Sequence, residues 1–397
     1  MTTADRWLLP DGVEELLPEQ AGRVEALRRK LLDLYASWGY ELVIPPLIEY
    51  TESLLVGLGN DVDIQTFKVV DQLSGRTMGI RADITPQTAR IDAHSLNREG
   101  PVRLCYAGSV LHTRPKSLMA SRSPIQLGAE LYGDAGLGSD IEIISLMLET
   151  LSCSGIEQIT LDLGHVGIYR ALLAQAGVDK QGEQKLFDAI QRKAGAEIER
   201  AIADTITEPA LAEMLAALST LNGDITVLAR ARQLLSGAPE PVARFIDQLE
   251  MVAAVVGRRM PEVTLYFDLS ELRGYHYHTG LVFAALAPGH GQAVANGGRY
   301  DHIGEVFGRA RPATGFNTDL KALLGYLPEE LAGADTTIFA PDDAGLDQAQ
   351  AEALWQTVKA LRAEGERVIC GLSPESESAD YSRYLVWQSG QWQLNSR

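Results

Sequence analysis

The stretch Leu272-Arg-Gly-Tyr-His-Tyr-His278, followed by Gly297-Gly-Arg-Tyr-Asp301, lies in a region of strand character. Val263-Thr264-Leu265-Tyr266-Phe267 precedes it, Tyr275 to Ala285 runs through it, and Gln292-Ala293-Val294-Ala295 resumes after Pro288-Gly289. The β-branched and aromatic content of these runs predicts strands. Arg273 enters that sheet from an apolar run, and an arginine in a sheet interior needs a carboxylate partner or a ligand. His276 and His278 are two apart on an expected strand and share a face, as two metal ligands would. No carboxylate or cysteine at recognisable ligand spacing joins them, so pocket or core histidines are expected and no metal. Gly289-His-Gly-Gln and Gly297-Gly-Arg lack the lysine and hydroxyl of a phosphate-binding loop and read as hairpin turns.

Working outward, residues from about 179 to 255 change to an alanine- and leucine-rich helical pattern with starts such as Thr207-Glu208-Pro209, which predicts a helical insertion splitting the sheet. Upstream, Thr66 to Val70 and Thr77 to Arg81 flank Ser74-Gly75 as a hairpin. A second hairpin is expected from Val102 to Gly108 and Ile125 to Gly133, with a long connection from Lys116 to Pro124. Earlier still, Val24, Leu27, Leu31, Leu34, Tyr35 and Trp38 make the apolar stripe of a helix that begins at Pro18 and stops at Gly39. Leu42-Val43-Ile44 then reads as a short strand that Pro45-Pro46 keeps from continuing as a central ladder member. Glu25, Arg28, Arg29 and Asp33 are charges of its solvated face. After Glu329 to Thr336, a βαβ-like unit is expected: strand at Ile338-Phe339, helix from Gln348 to Arg362, strand from Arg367 to Cys370, and Tyr384 to Trp387. The whole is an α+β chain, an antiparallel sheet flanked by helices, with residues 1–328 as the core and 335–397 as a small α/β unit.

Composition narrows the function. The 397 residues are 46% apolar and 22% charged, those of an ordinary globular protein. Lys and Arg number 35 against 53 Asp and Glu, a formal charge of −18, which disfavours nucleic-acid binding. Cys105, Cys153 and Cys370 are odd in number, far apart and without CxxC spacing, so neither a disulfide framework nor a zinc cluster is expected. Met1-Thr-Thr-Ala-Asp-Arg-Trp7 lacks a basic start before an apolar core, and no stretch approaches the roughly 18 apolar residues of a membrane span, so cytoplasmic localisation is the expectation.

Four segments together resemble the catalytic core of histidyl-tRNA synthetase, a class II synthetase, over about residues 8 to 326. They are the helix, strand and proline of residues 18 to 46, similar to the motif 1 dimer interface; Arg81-Ala-Asp-Ile-Thr-Pro-Gln-Thr-Ala-Arg90; the second hairpin ending Gln126-Leu-Gly-Ala-Glu130, similar to motif 2; and Leu272 to His278 with Gly297 to Asp301. The resemblance implies a class II synthetase-like fold and a histidine pocket. A histidine offers an ammonium, a carboxylate and an imidazole, calling for acids, a cation and a ring partner. Asp83, Thr85, Gln126 and Glu130 match the synthetase's amino-acid pocket, Arg273 its cation, and Tyr277 and His278 its ring contacts. From local sequence alone, Asp83 reads equally as a helix N-cap.

The departures carry as much information. Class II adenylation uses a motif 2 arginine at the α-phosphate and a motif 3 arginine at the distal phosphates. His112 stands at the first position, in Leu111-His-Thr-Arg114, and Ala322 at the second, in Thr314 to Leu323. Losing one such contact costs on the order of 3 kcal/mol in the activated complex, and Lys321 is expected to point about 100° away around a helix. The C-terminal unit, with five basic and ten acidic residues, is an unpromising RNA surface.

A retained amino-acid pocket with degraded ATP contacts resembles the regulatory subunit of ATP phosphoribosyltransferase. That resemblance implies a non-catalytic chain without cofactors. It would be partnered with a short-form catalytic subunit in the first step of histidine biosynthesis, self-dimerised through the motif 1-like region, and would take histidine as its effector. An active histidyl-tRNA synthetase, and an adenylate-forming enzyme for another amino acid, are the alternatives that Ala322 argues against.

Overall fold

The computed structural model describes residues 7–55, 60–115, 120–272, 274–275, 277–327, 337–373 and 381–397. The chain packs as two compact units, Met1–Leu327 and Pro328–Arg397. The first is built on a nine-stranded sheet in the order Glu41–Leu42, Val102–Ser109, Ile125–Tyr132, Ala313–Asp319, Ala295–Arg299, Leu281–Leu286, Thr160–His165, Thr264–Asp268, Asn222–Gly223. The central pairings are antiparallel. Glu41–Leu42 on Val102–Ser109 and Thr264–Asp268 on Thr160–His165 are parallel, so the sheet is mixed toward its edges.

The first helix, Pro18–Ser37, forms as its stripe predicts, with proline in its first turn and Gly39 just beyond its end at φ +83°. Val24, Leu27, Leu31 and Tyr35 are buried, and Tyr35 meets Phe316 of the sheet edge-on with ring centroids 6.1 Å apart. Glu25 pairs with Arg28 and Arg29 on the outer face. The helix Leu137–Cys153 packs against the same side, and its Thr150 hydroxyl donates to the Tyr35 hydroxyl at 3.2 Å.

Hairpin one, Phe67–Val70 with Thr77–Ile80, forms a separate three-stranded sheet with Ile48–Tyr50. The second hairpin, Val102–Ser109 with Ile125–Tyr132, occupies the main sheet. Its connection includes residues 116–119, which lie outside the described residues. The insertion contains Lys180–Gln191, Gly195–Thr205, Pro209–Leu218, Thr226–Leu234 and Glu240–Arg259, together with the two-residue strand Asn222–Gly223 at the sheet edge. In the C-terminal unit, Ile338–Ala340 pairs in parallel with Val368–Cys370 and Arg383–Gln388, and the helix Gln348–Ala363 starts in a capping box from Asp347 and Gln350. A last strand, Gln391–Ser396, was not legible in its polar sequence.

Two expectations are corrected. Gly297-Gly298-Arg299 is not a hairpin turn but the last three residues of the strand Ala295–Arg299. Its glycines answer close approach, since a Cβ on Gly297 would overlap the Gly315 carbonyl and one on Gly298 would lie 2.7 Å from the His278 ring. Tyr275, Tyr277 and His278 are not on a strand, which begins only at Leu281. Gly274 at φ +65° starts a tight turn there, with the Tyr277 and His278 amides both donating to its carbonyl at 2.7 Å.

Candidate functional site

Glu130 is the centre of the site. It sits on the strand Ile125–Tyr132, opposite Leu104 on one side and Gly315 on the other, and is 1% exposed. One carboxylate oxygen accepts from the Thr85 hydroxyl at 2.9 Å and from the Tyr106 hydroxyl at 3.0 Å, and the other accepts from the Tyr300 hydroxyl. Gly315 must be glycine, because a Cβ there would overlap the Glu130 carboxylate. Burial pushes the Glu130 carboxyl up to about 8; the Tyr300, Thr85 and Tyr106 hydroxyls oppose that shift, and the nearby Asp83 charge adds to it.

Four residues earlier on the same strand, Gln126 joins the cluster to the segment before the helix Thr85–Arg90. Its side-chain oxygen accepts from the Ile84 amide at 2.8 Å and its nitrogen donates to Asp83 at 2.8 Å. Asp83 also accepts from the Thr85 amide at 3.0 Å, so it serves the helix start and the cluster with the same oxygen. Tyr277 stacks on Tyr300 with ring centroids 4.8 Å apart. Its hydroxyl is buried and near that of Tyr300, but makes no hydrogen bond of good geometry among the described residues. The His278 ring packs edge-on to Tyr277 and over Gly298. The structure therefore brings Asp83, Thr85, Gln126, Glu130, Tyr277 and His278 together. Arg273, like His276, lies outside the described residues.

Tyr106 and Tyr300 are the members that sequence reasoning missed. The hairpin register held the signal for Tyr106: it lies opposite Gly128, where a Cβ would stand 2.5 Å from its hydroxyl. Arg299 was also passed over. It bonds Asp140 at 2.8–3.1 Å, Ser139 at 2.8 Å and the carbonyls of Asp134 and Gly136, and thereby organises the start of the helix Leu137–Cys153. Arg311 does the same for Asp92 at 2.8 Å.

Beside the cluster is a cavity of about 340 Å³ lined by Gln126, Asn296, His112, Lys321, Ala322 and Glu14, among others. His112 and Ala322, the positions where the synthetase resemblance calls for arginines, both line it. His112 is buried, with Nε2 2.9 Å from the Ala82 carbonyl oxygen, and Ala322 offers a methyl group. Lys321 corrects its expectation: it borders the same cavity as Ala322, because Leu320 and Leu323 take the inward face of the one-turn helix Leu320–Leu323. Its ammonium is 3.4 Å from Glu14 and 3.3 Å from the Ser123 hydroxyl, so its charge is already countered. Arg114 is exposed, and Arg122 is spent on the carbonyls of His112 and Asp11. Among the described residues lining this cavity there is no arginine, whereas an adenylating site needs two.

Among the described residues no group of three or more His, Cys, Asp or Glu is placed to hold a metal, and no helix is long and apolar enough to cross a membrane.

The family model for histidyl-tRNA synthetase matches residues 12–323, and that for the ATP phosphoribosyltransferase subunit HisZ C-terminal domain matches residues 335–395. An ATP phosphoribosyltransferase regulatory subunit from Thioalkalivibrio sulfidiphilus is 59% identical over 380 residues, 96% of this chain and 94% of that protein. Among solved structures, one from Bacillus halodurans described as an ATP phosphoribosyltransferase regulatory subunit/histidyl-tRNA synthetase superposes with a TM-score of 0.81 at 26% identity, covering 97% of this chain and 99% of the other. A histidyl-tRNA synthetase from Nostoc has a TM-score of 0.76 over 98% of this chain and 94% of its own at 17% identity, a likeness of fold alone. With a synthetase-like core, a matched HisZ C-terminal segment and a relative 59% identical over nearly its whole length, this chain belongs to the family of ATP phosphoribosyltransferase regulatory subunits.

Proposed function

We propose that the chain senses histidine in the pocket around Glu130 and relays its presence to a short-form ATP phosphoribosyltransferase catalytic subunit. In this reading, the two together perform the first step of histidine biosynthesis under feedback control. The observation that carries the reading is Glu130 itself. Its bonded partners among the described residues are three hydroxyls and no cation, so a buried carboxylate awaits a positive charge. The ammonium of histidine supplies that charge, with Asp83 and Gln126 alongside. Arg273 takes the carboxylate, and Tyr277 and His278 receive the imidazole. Retaining this set of polar groups without a ligand would be costly.

The neighbouring cavity supports a sensor without adenylation, since among its described lining residues Ala322, His112 and a Lys321 already paired with Glu14 offer a triphosphate no free cation. Leu42, Ile44 and Leu47 are exposed beside the edge strand Glu41–Leu42, which supports self-dimerisation through the motif 1-like region. The relay requires only that the chain prefer one state of its partner and that histidine favour another. The test is to titrate the chain into the catalytic subunit and follow turnover with and without histidine, alongside histidine-dependent pyrophosphate exchange. Activation that histidine reverses, with exchange at background, is expected. An unchanged rate and histidine response at saturating chain, or exchange at enzyme-like rates, overturns the reading.

A further inference from the structure

The geometry points to Tyr275 as a positioning residue that couples occupancy of the Glu130 pocket to the helical insertion. The turn that carries Tyr277 toward the pocket sends Tyr275 the other way. Tyr275 is 5% exposed, and its hydroxyl donates to Glu183 of the helix Lys180–Gln191 at 2.6 Å. Its ring packs on Phe187 of that helix and edge-on to Tyr169, each with centroids 5.4 Å away. The Arg170 guanidinium lies 4.7 Å from the ring centroid and donates to the Tyr275 carbonyl. A second tie stands just upstream: Lys193, past the end of the same helix, reaches Asp268 at 2.5 Å, and Asp268 also holds the Ser270 amide and hydroxyl at 2.9 and 2.6 Å.

Hydrogen bonds also link the described residues of this segment to one another. The Tyr275 amide donates to the Leu272 carbonyl at 2.9 Å, and the amides of Tyr277 and His278 share the Gly274 carbonyl. The His278 ring fills the space where a side chain on Gly274 would begin. A ligand that fixes Tyr277 against Tyr300 would, through the shared bonds to Leu272 and Gly274, also fix Tyr275 against Glu183, Phe187 and Tyr169. Occupancy lowers the freedom of Lys180–Gln191, and by reciprocity whatever holds that helix raises affinity in the pocket.

This inference rests on the histidine-sensing reading above. The experiment is amide hydrogen exchange on the full chain with and without histidine, paired with calorimetric histidine titrations, for the natural protein and for Tyr275→Phe, Glu183→Ala and Glu183→Gln. Histidine is expected to slow exchange across Lys180–Gln191 in the natural chain. Tyr275→Phe and Glu183→Ala should erase most of that protection and weaken binding by about tenfold, the lower end of what one hydrogen bond to a charged group contributes. Glu183→Gln, which still accepts from the phenol, should restore both. A natural chain that binds no histidine overturns the sensing reading, and this coupling with it. Normal binding with protection of Lys180–Gln191 that is absent, or unaltered by Tyr275→Phe and Glu183→Ala, overturns the coupling alone.

Discussion

Replacing Glu130 by glutamine should separate the charge of the pocket from its shape. In the unfolded chain this carboxyl ionises near 4.5, and in the folded chain burial holds it up to about 8. Between those values the folded chain keeps a proton that the unfolded chain has lost, so the contribution is fully present below about pH 4.5 and falls away as pH rises toward 8. At about 1.4 kcal/mol per pH unit, the window is worth about 5 kcal/mol of stability. Glutamine keeps the volume and an acceptor for Tyr106 and Thr85 but cannot ionise. The stability of the natural chain relative to Glu130→Gln, measured by urea unfolding at a series of pH values, should therefore fall as pH rises. Histidine reverses the balance, because its ammonium favours the carboxylate, so binding near neutral pH should expel about one proton. Calorimetry in buffers of different ionisation enthalpy reads that proton. Glu130→Gln should release none and bind histidine more than about a hundredfold more weakly, having lost one partner of a buried charge pair. A stability difference flat from about pH 5.5 to about pH 8.5 would refute the burial argument. Proton release that persists in Glu130→Gln would place the titrating group elsewhere.

Two further outcomes follow from the packing. Arg299→Met should destabilise the core unit by about 3–5 kcal/mol, since Asp140 is left buried without its cation; an unfolding midpoint unchanged in urea would show the pair to be dispensable. Gly315→Ala should abolish histidine binding while costing about 1–3 kcal/mol of stability through overpacking against the Glu130 carboxylate, and a variant that titrates like the natural chain would contradict that placement of Glu130.

The amino-acid sequence by itself determined the elements whose periodicity is local. The stripe from Val24 to Tyr35 fixes Pro18–Ser37, because it depends on which residues face one way along a single element. The reading of His112 and Ala322 as standing in place of two arginines also comes from sequence alone, since a missing guanidinium is a matter of composition at a motif position. Asp83, Thr85, Gln126 and Glu130 could be listed from motifs, but their hydrogen bonds could not. Only the tertiary structure decided that Tyr300, 170 residues along the chain, donates to Glu130, because that bond needs the Ala313–Asp319 and Ala295–Arg299 strands laid side by side next to Ile125–Tyr132. The same applies to Gly297 and Gly298. In sequence two glycines in a row read as a turn, whereas in the sheet they are the places where a neighbouring carbonyl and the His278 ring leave no room for a Cβ. Lys321 was misjudged for a related reason: a helix of one turn has no settled inner face until Leu320 and Leu323 find the core, and Glu14, 307 residues away, then arrives to counter its charge.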